Sequence, residues 1–227
     1  VLLLCVLAAG ALAGCSLLSP STASSSSSPS DVSDTSGTGE GEGEEPERNI
    51  LAPEGTGLYQ PPQDPLAEAV CIVNEETGLV VYEKNSDVSM PAASLVKMMT
   101  AILVMEHMQN FGKNLDTTMV DSTDKGWVYD ALYGKNASTA DIRQGETLSV
   151  RELLYAMLLP SANEAALLLA DYVSGGNMTN VMYQMNTRAQ SLGCANTFFD
   201  DPSGLSELNV VTAHDMTLIV QEFAKHQ

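Results

Sequence analysis

Ser94 and Lys97 stand one helical turn apart at the head of an almost wholly apolar run, residues 95–105, and Lys97 is the only charge between Ser94 and Glu106. An ammonium in such a helix loses hydration that it cannot easily replace, so it must be paired or put to use. Ser-x-x-Lys is the spacing at which a neutral lysine can take the proton of a serine nucleophile. Three other helix starts read as capping boxes with an acid in the first turn: Ser149 with Glu152, Ser161 with Glu164, and Thr212 with Asp215. Lys97 instead sets a cation where the helix dipole disfavours one. Dipole and desolvation together push its pKa down, towards the neutral amine that a general base must be.

The same spacing recurs at Ser122 and Lys125, inside a polar stretch that runs into Gly126 and Trp127. No apolar helix desolvates that lysine, and a surface turn is predicted there. A second candidate element lies at Leu159-Pro160-Ser161-Ala162-Asn163-Glu164. Pro160 ends the helix that begins near Val150 and Ser161 opens the next, so a hydroxyl and an amide project from one corner.

Together these stretches resemble the serine D-alanyl-D-alanine carboxypeptidases, the low-molecular-mass penicillin-binding proteins, whose elements are S-x-x-K, S-x-N and K-T-G. The likeness rests on Pro91-Ala-Ala-Ser94-Leu-Val-Lys97-Met-Met-Thr100-Ala, Gly145-Glu146, Leu153-Leu154-Tyr155 and Leu159-Pro160-Ser161-Ala-Asn163-Glu-Ala165. It continues through Met185-Asn186, Leu192-Gly193, Thr197-Phe198, Pro202-Ser-Gly204-Leu205 and Thr212-Ala213-His214-Asp215, and so covers residues 66–227.

The resemblance implies a penicillin-binding/β-lactamase-like transpeptidase fold of α+β class, an antiparallel sheet with a helical subdomain. It implies acyl transfer on peptidoglycan stem peptides, with Ser94 as nucleophile, Lys97 as its base, and Ser161 relaying a proton to the departing D-alanine. Asn163 would bind the substrate's backbone amide, and the Ser94 N–H would be one oxyanion donor. β-Lactam antibiotics would be covalent inhibitors, and neither cofactor nor metal is called for. The sequence contains no Lys-Thr-Gly. By resemblance that element sits on a later strand, so the chain is expected to be a fragment missing both ends, its C-terminal strands among what is missing. One rival is a β-lactamase-related serine hydrolase, which typically carries Ser-Asp-Asn where this chain has Ser161-Ala-Asn163. Another is a non-catalytic, lipid-anchored wall-binding protein on the same fold.

The positioning elements follow from pattern. Residues 69–73 and 79–82 are β-rich runs about a Gly78 turn and read as a hairpin. Helices are predicted near 92–109, 150–158, 163–173, 179–192 and 213–225, an order that suggests α+β with an incomplete sheet. The catalytic-like domain spans 63–227. Residues 16–62, rich in Ser, Gly and Glu, cannot build a core and read as a solvated tether. Residues 1–15 read as a lipoprotein signal peptide: an apolar run closed by Leu12-Ala13-Gly14-Cys15, with Cys15 the lipidated residue. The domain would then work outside the cytoplasm, held to the membrane by its N-terminal lipid.

A net charge of −19 argues against nucleic-acid partners. Cys71 and Cys194 could pair in an exported protein, yet read more simply as small buried apolar residues. His107, His214 and His226 lack ligand spacing, so no metal site is expected.

Overall fold

The computed structural model describes residues 65–226, together with the backbone of residues 2–7. Cys15 and the 16–62 tether lie outside the described residues. The anticipated hairpin is present as β2 (Ala69–Asn74) and β3 (Val80–Lys84), and a third strand, β1 (Leu2–Leu7), pairs antiparallel with β2 from Leu2↔Asn74 to Leu7↔Ala69. The loop between β2 and β3 closes on Asn74, whose Oδ1 accepts the N–H groups of Glu76 and Thr77, each at 3.0 Å, while Gly78 takes φ +71. A side-chain acceptor followed by a left-handed glycine is what such a turn needs.

β4 (Met90–Pro91) leads into a 3-10 turn (Ala93–Leu95) and then α1 (Val96–Asn110). The helix predicted over 92–109 therefore starts late. After it come β5 (Met119–Asp121), α2 (Gly126–Leu132) and β6 (Thr147–Ser149). Then follow α3 (Val150–Leu158), α4 (Asn163–Ser174), α5 (Met178–Ser191), β7 (Val210–Val211) and α6 (Ala213–Ala224). The α+β class holds, while α2 and the short ladders β5–β6 and β4–β7 were not anticipated.

α1 is a wall shared by two cores. Val96, Met99 and Ile102 meet the sheet and Val181, Met185, Met216 and Ile219 of α5 and α6. Ala101, Val104 and Met108 meet Val128 of α2, Leu153 of α3 and Ala165 and Leu169 of α4. Each fully buried aliphatic or Met side chain here contributes about 1.5–3 kcal/mol, and α1 spends both its faces on this burial. No helix among the described residues is long and apolar enough to cross a membrane.

The capping boxes divide. Ser149 and Glu152 form one in full, with Glu152 N–H donating to Ser149 Oγ at 3.2 Å and Ser149 N–H to Glu152 Oε2 at 2.8 Å. Thr212 accepts the Asp215 N–H at 3.0 Å, but the Asp215 carboxylate turns away to Asn196 N–H and Thr197 Oγ1. The box expected at Ser161 and Glu164 is absent. Ala162 is the N-cap of α4, and it makes no side-chain cap. Both would-be box partners are claimed by contacts distant in sequence.

Candidate active site

The corner that carries Ser94 is tight because Ala93 holds φ +44, a left-handed conformation that costs an alanine about 1–2 kcal/mol. The turn leaves Ser94 exposed and Lys97, at the second position of α1, only 2% exposed. Lys97 Nζ lies 3.3 Å from Ser94 Oγ, 3.0 Å from Asn163 Oδ1 and 2.6 Å from the Ser203 carbonyl oxygen. The two shorter contacts account for both N–H bonds of a neutral amine. Its lone pair is then left for the third direction, towards the Ser94 hydroxyl.

Burial is the main reason that the Lys97 pKa falls from 10.5 to about 8, against the opposing charges of Asp201 and Glu164. All three of its direct contacts are uncharged groups, so no adjacent carboxylate fixes the ammonium. An amine in this state is partly neutral near physiological pH.

Ser161 sits at φ +61, again left-handed, and donates its hydroxyl to Ser94 Oγ at 2.9 Å. Its hydroxyl thus belongs to the Ser94 corner and not to a helix cap. Asn163, 4% exposed, accepts from Lys97 and donates through Nδ2 to the Ser138 carbonyl at 2.9 Å. Glu164 is 2% exposed and reaches sideways, its Oε1 accepting the N–H groups of Ala140 at 2.6 Å and Ile142 at 3.4 Å. Asn163 and Glu164 together tie segment 138–142 to the start of α4.

The four residues singled out in sequence therefore meet at one point: Ser94, Lys97, Ser161 and Asn163. Sequence reading had attached no role to a fifth participant, the turn 201–206. The β4–β7 ladder and the Ala92 N–H to Asn209 carbonyl bond, 3.0 Å, bring this turn against the Ser94 corner. Its Ser203 carbonyl grips Lys97, its Pro202 carbonyl accepts Thr100 Oγ1 at 2.7 Å, and Gly204 packs on Ala93. A Cβ on Gly204 would stand 1.9 Å from the Ala93 carbonyl oxygen, and its φ is +88. Asp201-Pro-Ser-Gly204 carries the residue types of a turn, which was the available signal.

The second Ser-x-x-Lys does form a turn, with Lys125 N–H donating to the Ser122 carbonyl at 3.1 Å, but not a surface one at its serine. Ser122 is 1% exposed, donates to the Arg143 and Glu146 carbonyls at 3.1 and 2.9 Å, and accepts from Gly145 N–H at 3.0 Å. Lys125 pairs with Asp171 at 2.7 Å.

Among the described residues one group could bring three ligand atoms within 4.8 Å: Glu106, Glu222 and His226. Arg188 already occupies it, its guanidinium 2.6 Å from both glutamates, and so supplies the cation that a metal would. Cys194 and Cys71 both lie in the core beside the sheet, and burial pushes the Cys194 thiol up to about 12, which leaves it inert.

The family description D-alanyl-D-alanine carboxypeptidase matches residues 58–227. The D-alanyl-D-alanine carboxypeptidase DacF of Bacillus subtilis is 31% identical over 162 residues, which is 71% of this chain and 40% of that protein. The Streptomyces K15 DD-transpeptidase structure matches with a TM-score of 0.63 at 32% identity, over 72% of this chain and 63% of that one. Penicillin binding protein 5 of Haemophilus influenzae matches with a TM-score of 0.66 at 28% identity, over 74% and 47%. The chain spans about half the length of the curated relatives it matches.

Proposed function

The chain belongs to the D-alanyl-D-alanine carboxypeptidase family, and from that premise we propose that the protein removes the terminal D-alanine of peptidoglycan stem peptides through an acyl-enzyme on Ser94. The single observation that carries this reading is the exposed Ser94 Oγ, set between a buried amine at 3.3 Å and a second hydroxyl at 2.9 Å.

The neutral Lys97 amine takes the Ser94 hydroxyl proton as Oγ attacks the penultimate D-alanine carbonyl. Ser161, in hydrogen-bond reach of Ser94, passes a proton to the amide nitrogen as the C–N bond breaks and D-alanine departs. Water then attacks the ester, losing its proton to the same relay, and Ser94 is regenerated. Asn163 spends one amide N–H on Ser138; its other can meet the substrate's backbone amide oxygen.

β-Lactams would enter the same step and stall as esters on Ser94. By this reading the domain works outside the cytoplasm on the cell wall, with Cys15 as its lipid anchor to the membrane. The test is a fluorescent penicillin on the full-length gene product, followed by release of D-alanine from a stem-peptide mimic. Label on Ser94 and D-alanine release are expected. Label elsewhere, or none, overturns the assignment, and palmitate incorporation unchanged in Cys15→Ala overturns the anchor.

A further inference from the structure

The turn 201–206 touches the nucleophile's helix at three places, through Ser203 to Lys97, Pro202 to Thr100 and Gly204 to Ala93. Its own shape comes from one carboxylate. Asp201 Oδ1 accepts Ser203 N–H and Gly204 N–H, each at 2.6 Å, and the Ser203 hydroxyl at 2.9 Å. Asp201 Oδ2 accepts Ser206 N–H and, at 3.3 Å, Asn209 Nδ2. Without that acceptor, the N–H groups of Ser203, Gly204 and Ser206 would lose the partner they share.

We propose that Asp201 is a positioning residue for acyl transfer: it folds the turn that holds the Lys97 amine and braces the backbone beneath Ser94. This inference rests on the acyl-enzyme reading of Ser94 and extends it to a residue that touches neither substrate nor the reacting oxygen.

Asp201 acts on Lys97 in a second way, through its charge. Burial alone would raise the Asp201 pKa, but the N–H groups of Ser203, Gly204 and Ser206 and the Ser203 hydroxyl outweigh it and hold the carboxyl below its usual range. It is therefore an anion wherever Lys97 titrates. The ionisable groups whose charge reaches Lys97 are Asp201, from this turn, and Glu164, from α4, and both raise its proton affinity. Asn163, Ser94 and the Ser203 carbonyl, its direct contacts, carry no charge. Asp201 thus places the amine and, in the same act, delays its deprotonation.

The two roles separate in Asp201→Asn. The amide oxygen can still accept from one side of the turn, but the charge is gone. In the full-length gene product, the rate of acylation by a fluorescent penicillin, followed against pH, should change in two respects. The rise of rate with pH moves to lower pH, because Lys97 loses an anion that favoured its ammonium. The plateau falls about 10- to 100-fold, the scale of an ångström-sized misplacement.

Thr100→Val removes only the strap from α1 to the Pro202 carbonyl, so it should lower the plateau and leave the pH midpoint in place. A folded Asp201→Asn protein with wild-type plateau and midpoint overturns the proposal. If Asp201→Asn does not fold, an unchanged plateau in Thr100→Val overturns the bracing on which the proposal stands. Wild-type protein that takes no label on Ser94 would instead sink the acyl-enzyme reading.

Discussion

Ser94-x-x-Lys97 and Ser122-x-x-Lys125 share a spacing and invert each other's burial. In the first, the hydroxyl is open and the amine is 2% exposed; in the second, the hydroxyl is 1% exposed and the lysine side chain 30%. Lys97 meets only uncharged acceptors, whereas Lys125 meets the Asp171 carboxylate at 2.7 Å. The Ser122 hydroxyl is consumed by two carbonyls and an N–H. The Ser94 hydroxyl faces a second hydroxyl and an amine with a lone pair to offer. Chemistry in this motif depends on which of its two ends is dry and on what kind of acceptor the amine sees.

The largest test of that contrast exchanges the two serines. Ser94→Ala should abolish covalent penicillin labelling, while Ser122→Ala should keep it; the opposite pattern would make the second turn the site. The lysines follow. Lys97→Arg retains charge and bulk but cannot release its proton, so acylation should drop by roughly 100-fold or more. Lys125→Arg preserves an ion pair with the buried Asp171, away from Ser94, and should acylate within about twofold of wild type.

A third test reads stability. The Lys97 pKa is about 8 in the folded protein against 10.5 ordinarily, so between those values the unfolded chain binds more protons. Folding stability therefore rises with pH across that window, by about 3 kcal/mol in total, and the penalty is fully present below it. The difference between wild type and Lys97→Met in urea unfolding from pH 7 to 10.5 should show this slope. A constant difference would mean that the amine is not held at a lowered pKa. Within stability the smaller effect belongs to the buried serine, where Ser122→Ala should cost about 1–3 kcal/mol by leaving the Gly145 N–H unpaired, while the Arg143 and Glu146 carbonyls keep the N–H groups of Glu146 and residue 122.

Helices α1 and α3 to α6, and the pairing of Ser94 with Lys97, were legible because their signals are local. A lone lysine in an apolar run, a proline before Ser161 and a complete box at Ser149 and Glu152 need only a few residues of context. The sequence misled where a side chain had a distant claimant. Ser161 and Glu164 carry the box spacing, yet Ser94, 67 residues away, takes the hydroxyl, and Ala140, 24 away, takes the carboxylate. The Lys97 to Ser203 contact spans 106 residues, and no periodicity announces a backbone carbonyl as a ligand. β4 and β7 are two residues each, too short for alternation to register, although they deliver turn 201–206 to the site.

α1 has cores on both of its faces, and this sets the tempo of the corner it carries. Its central amides, around Ile102 and Val104, each 0% exposed, have no solvent side on which to open, so their deuterium uptake must wait for unfolding of the whole domain. A helix that frayed from its start would carry Lys97 away from Asn163 and Ser203 many times between encounters with substrate. Anchored between two hydrophobic walls, the first turn should instead exchange nearly as slowly as the middle. The amine would then keep its station over the long intervals in which the site stands idle.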